Sequence, residues 1–84
     1  MAGLHVKFDV IGGDSPAVNI RTDLQKEHLA SALIKRVAAS QSVSVPNARG
    51  TGVHTVLTSK IVGVKVTDVA ENRTTATLDD IIFE

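Results

Sequence analysis

The apolar residues of this chain are mostly branched at Cβ. Twelve valines and eight threonines stand against two phenylalanines, and tyrosine and tryptophan are absent. Such side chains are stiff about χ1 and pack well on pleated surfaces, so the composition points to sheet. The 84 residues have room for one domain, residues 1–84, and not for two separately cored units. Without large aromatics each core side chain removes modest apolar area from water, at about 25 cal/mol per Å². A domain this small keeps only a few kcal/mol of net stability. Burial between copies is the natural supplement, and a homo-oligomer is expected.

The chain contains no cysteine. A disulfide scaffold and thiolate-held zinc or iron–sulfur centres are thereby excluded. No stretch approaches the roughly eighteen apolar residues of a membrane span. The segment Met1 to Lys7 lacks the basic run and apolar block of a secretory signal. A cytoplasmic location without membrane contact is the expectation, and Asn72-Arg73-Thr74 then reads as a turn, not a glycosylation site.

Leu4, Val6, Phe8 and Val10 alternate with His5, Lys7 and Asp9, the pattern of a half-buried strand. Gly12 to Pro16 ends it with turn-forming residues, and Ala17 to Arg21 reads as a brief extended segment. Thr22-Asp23-Leu24-Gln25 has the form of a capping box, which predicts a helix over Asp23–Ala39. Its Leu29, Ala30, Leu33, Ile34 and Val37 gather on one side, with Gln25, His28, Lys35 and Arg36 roughly opposite. Val43 and Val45 alternate with serines, and Pro46 to Gly52 is the most loop-like run. Val53 to Val69 favours strand throughout but is long for one, so a bend near Thr58–Lys60 is expected. Gly63 marks a candidate bulge, Ala70 to Arg73 a turn, and Thr74 to Leu78 a returning strand. The expected fold is α+β. A small twisted sheet of about four strands, in the order β–α–β–β with room for one more, is covered by one amphipathic helix.

Zero net charge conceals a division. Residues 20–65 sum to +5, residues 66–84 to −4, and residues 1–19 to −1. Three readings follow: mixing of both segments on one solvated surface, complementary patches meeting between subunits, or a basic patch for an anion.

Arg49-Gly50-Thr51-Gly52-Val53-His54 is the most suggestive cluster. It combines backbone N–H groups, a hydroxyl, a guanidinium and an imidazole, the materials of a phosphate or carboxylate site. It matches no Walker or dinucleotide pattern. His5, His28 and His54 are far apart and none has a second ligand at metal spacing, although His54, His5 and Asp9 could meet in one sheet. No nucleophile elbow or metalloprotease helix is present, and Asp79-Asp80 would fall on opposite faces of a strand. Neither catalysis nor a cofactor or metal is expected. The scarcity of aromatics also argues against base stacking.

These readings converge on a non-catalytic intracellular protein that works by protein–protein contact and self-association. Its size would suit an accessory protein of a phage or mobile element. Its partners are itself and another protein. The contact residues are Asn47, Arg49, Thr51 and His54 of the loop and His28, Lys35 and Arg36 of the helix. The competing expectation is an anionic-ligand module that takes a nucleotide or nucleic acid at a subunit junction through Arg49, Thr51 and His54.

Overall fold

The computed structural model describes residues 2–47 and 49–84; Met1 and Ala48 lie outside the described residues. The fold is α+β; among the described residues it has one α-helix, α1 (Lys26–Ala39), and seven strands. These are β1 (Ala2–Val10), β2 (Ala17–Thr22), β3 (Ser42–Pro46), β4 (Val53–Leu57), β5 (Ile61–Val69), β6 (Ala76–Thr77) and β7 (Ile82–Phe83). They form two sheets, ordered β5-β1-β2-β6 and β4-β3-β7. The expected single sheet of about four strands is therefore corrected. The expected brief segment from Ala17 is a full strand hydrogen-bonded to β1. The run from Val53 to Val69 breaks at a 3₁₀ turn over Thr58–Lys60, and its two parts join different sheets.

The alternation in β1 decides the layering. Leu4, Val6 and Phe8 are buried, as are Val18 and Ile20 on neighbouring β2. Val64 and Val66 of β5 lie opposite Phe8 and Val6 and pack against the same core. Two elements cover this inner face side by side. The helix contributes Leu29, Leu33 and Val37, one turn apart, and the second sheet contributes Val43 and Val45, with Ile81 beside them. Phe8 meets Phe83 edge to face with ring centroids 6.3 Å apart, an arrangement favoured by the ring quadrupoles.

The helix begins later than its spacing predicts. Thr22 ends β2 opposite Ala2, so the backbone there is extended. Its hydroxyl accepts the Leu24 N–H at 3.2 Å in a local turn, and Gln25 precedes the helix without a side-chain cap. Strand pairing has displaced the expected capping box. A real one lies elsewhere: Thr77 and Asp80 cap each other around a 3₁₀ turn over Leu78–Asp80. The strand expected over Thr74–Leu78 is confined to Ala76–Thr77, and Asp79 and Asp80 lie on the turn, not on two faces of a strand. The irregularity expected at Gly63 is present. Asp9 pairs with Gly63 but Val10 with Ile61, which leaves Val62 as the extra residue.

Candidate binding surfaces

Each sheet has one covered face and one face toward solvent. On the first sheet the outer face is set by the odd-numbered residues of β1. His5 lies between Thr67 and Asn19, Lys7 between Lys65 and Ala17, and Asp9 beside Gly63. The bonding in this face is specific. Asn19 Nδ2 donates to the Arg73 carbonyl at 3.2 Å, which turns Oδ1 toward His5 Nδ1 at 2.7 Å. Nδ1 therefore carries a proton and donates it to Asn19 Oδ1. The chain after β5 closes over one end of this face. A Cβ on buried Gly3 would stand 2.7 Å from Thr74 Cγ2 and 3.0 Å from the Val69 carbonyl oxygen. Beside it, Arg21, Glu71, Asn72 and Thr74 line a shallow depression.

The outer face of the second sheet is different in kind. Its cross-strand rows are Glu84–Ser42–Leu57, Ile82–Ser44–Thr55 and Pro46–Val53. Val53 is 64 % exposed, Leu57 59 % and Ile82 47 %. Ser44 and Thr55 bond hydroxyl to hydroxyl at 2.7 Å and so satisfy each other across the strands. Apart from Glu84 at one corner, this face carries no charge. It is the largest grouping of exposed apolar side chains that the strand pairing brings onto one face. Ile11 and Val62, both 63 % exposed, lie together at the far end of β1 and β5, joined by the Ile11 N–H donating to the Lys60 carbonyl.

The residues expected to bind from spacing alone are divided by the fold. Asn47, Arg49 and Thr51 lie in the β3–β4 hairpin loop. There Asn47 Oδ1 accepts the Thr51 N–H and Asn47 Nδ2 donates to Thr51 Oγ1, both at 3.0 Å. Gly50 takes φ +69°, the left-handed conformation that a tight reversal needs. The groups imagined around an anion are thus partly engaged with each other. His54 is exposed on β4 opposite Val45, in a different sheet from His5 and Asp9, so that triad does not converge. His28 and Lys35 are exposed on the helix, while the Arg36 guanidinium rests 4.7 Å from the centroid of the Phe83 ring. The helix end adjoins the opposite end of the hairpin, where Thr58 Oγ1 donates to the Ser40 carbonyl. The length of β3, about 13 Å from Ser42 to Pro46, separates the helix end from the loop.

Among the described residues no group of three His, Cys, Asp or Glu could hold a metal ion, and no helix is long and apolar enough to cross a membrane. Val53, Leu57 and Ile82 did not stand out in the sequence. Their signal is the serine-alternating β3, which buries its valines and turns its serines to the face that its neighbours must share. Comparisons with protein-family models, curated proteins and solved structures found no match to this chain.

Proposed function

We propose that this protein is a non-catalytic binding module that acts through protein–protein contact and self-association, with the outer face of the second sheet as its contact surface. One observation carries the reading: Val53, Leu57 and Ile82 are about half or more exposed on one face whose other strand residues are proline, serine, threonine and a single corner glutamate. Depletion of charge at the centre of a patch distinguishes protein interfaces from ordinary surface. The bonded pair Asn47 and Thr51, with exposed Arg49, lies at the hairpin end of the patch as a polar rim.

The test is a concentration series in solution. Sedimentation velocity should show reversible association into the high micromolar range. Amide chemical-shift changes should be confined to the second sheet, and Leu57→Lys should remove both effects without lowering the melting temperature. A strict monomer with concentration-independent shifts defeats the reading.

A further inference from the structure

We infer that a second copy of this chain occupies the free edge of β4, two-fold related about Thr55, so that the two three-stranded sheets join as one antiparallel sheet of six. The inference rests on the self-association reading above and names its geometry. In an antiparallel ladder, alternate residues aim their backbone groups at the neighbouring strand. The Gly52 carbonyl accepts from Asn47 N–H, and the Thr58 N–H donates to the Gln41 carbonyl. The even-numbered residues of this segment therefore face β3. Val53, Thr55 and Leu57 aim their N–H and C=O groups at the open edge.

Those three positions fix the register. With Thr55 opposite Thr55 of the second copy, Val53 falls opposite Leu57 and Leu57 opposite Val53. Every outward backbone group of β4 then finds a partner. A shift of the centre by one residue to either side leaves one of the three without a partner within the strand. The electrostatics agree. Val-His-Thr-Val-Leu carries no carboxylate or ammonium group, so two copies approach without like charges opposite one another.

The remaining edges are guarded and this one is not. Edge strands are normally protected by charge, proline, bulges or shortness. Strand β5 has the Val62 bulge, Lys65 and Asp68, while β6 and β7 are two residues long. Strand β4 has five residues, no internal proline and no bulge. Five residues give an edge about 17 Å long in a layer about 10 Å deep. That contact is far below the ~1,200 Å² of a stable complex, which places the dimer among weak, reversible interfaces.

The absence of native cysteine makes a direct test available. Paired Cα atoms about 5.5 Å apart lie within disulfide range. At high micromolar concentration with copper–phenanthroline, Thr55→Cys should be trapped as a dimer at least tenfold faster than the exposed control Asn72→Cys. Val53→Cys mixed with Leu57→Cys should give the mixed dimer, while Val53→Cys alone should not, because its two copies would sit about 13 Å apart. Thr55→Pro deletes an outward N–H and leaves the backbone bonds to β3, losing only the hydroxyl bond to Ser44, so it should weaken association at least tenfold. Association that persists with trapping at Ile82→Cys instead of Thr55→Cys overturns the edge geometry and leaves face contact standing. Absence of any association overturns both.

Discussion

The outer face of the first sheet carries Lys7, Asp9, Asn19 and Lys65 around His5, whereas that of the second carries Val53, Leu57 and Ile82 around a serine–threonine pair. Both are solvent-facing sides of antiparallel pairs in the same chain. The first shows the usual division of a half-buried sheet, apolar inward and polar outward. Its polar groups also hold the structure, since Asn19 ties β1 to the segment after β5 through His5 and the Arg73 carbonyl. The second has apolar side chains outward as well as inward, and its outward ones brace nothing within the chain. Substitution on the first face should therefore register as lost stability, and substitution on the second as lost association.

The largest stability effect is expected at Gly3, where the first face is closed by the segment around Thr74. An added methyl group meets the Val69 carbonyl oxygen at 3.0 Å, and backbone cannot move aside as a side-chain tip can. Gly3→Ala should destabilise by about 2 kcal/mol, in the range of overpacking. Chemical denaturation measures it. A neutral result means that the segment over Gly3 shifts freely, and the contrast between a braced and an unbraced face weakens.

Next comes Asn19→Ala, which leaves His5 and the Arg73 carbonyl without their shared partner. A loss of about 1 kcal/mol is expected, since the bond to His5 is part-buried and the bond to the Arg73 carbonyl is exposed. Nitrogen NMR of the imidazole adds a readout that general destabilisation would not move. In the parent His5 should hold its proton on Nδ1, and in the variant the two tautomers should mix.

A smaller effect tests the charges themselves. Lys7 and Lys65 are directly opposed across β1 and β5, and like charges so placed oppose folding. Lys7 has Asp9 nearby at 4.0 Å, but both are nearly half exposed and the pair contributes little. Lys65→Glu should stabilise by about 0.2–1 kcal/mol at low salt. The gain should fade in 1 M salt, where the screening length falls to about 3 Å.

How much of this contrast could be read in the sequence follows from where each constraint originates. The first face was legible because the alternation from Leu4 to Val10 is local and sorts inner from outer side chains by itself. The helix was legible from Leu29, Leu33 and Val37, but its start was not, because Thr22 is claimed by Ala2, twenty residues earlier. The second sheet was hidden for the same kind of reason. Its middle strand pairs with β7, about forty residues away, and no local pattern encodes that choice. Val53 and Leu57 looked merely β-favouring, since only the topology shows that β4 is an edge. The chemical variety of Arg49 to His54 drew attention first, yet Asn47 and Thr51 bond to each other and lie across the hairpin from the helix cations.

The smallest effect concerns the one charge on the covered side of β5. Asp68 falls opposite Leu4, where the sheet's inner face reaches its margin, and Lys26 at the start of the helix reaches it at 2.9 Å. The hydrogen bond to Asp68, reinforced by the attraction of its charge, raises the Lys26 pKa above the ordinary lysine value. A lysine that holds its proton more tightly in the folded state stabilises fully below its unfolded pKa of about 10.4, and that contribution is lost as pH rises through the raised value. Lys26→Met should therefore lower the melting temperature slightly at neutral pH. The difference from the parent should stay level to about pH 10 and close only above it. Salt should also shrink the difference, because both partners are exposed to solvent. A difference that survives both strong alkali and high salt would assign the contribution to the packing of the lysine stem and not to the ion pair. The first sheet would then owe its hold on the helix to apolar contact even at its charged margin.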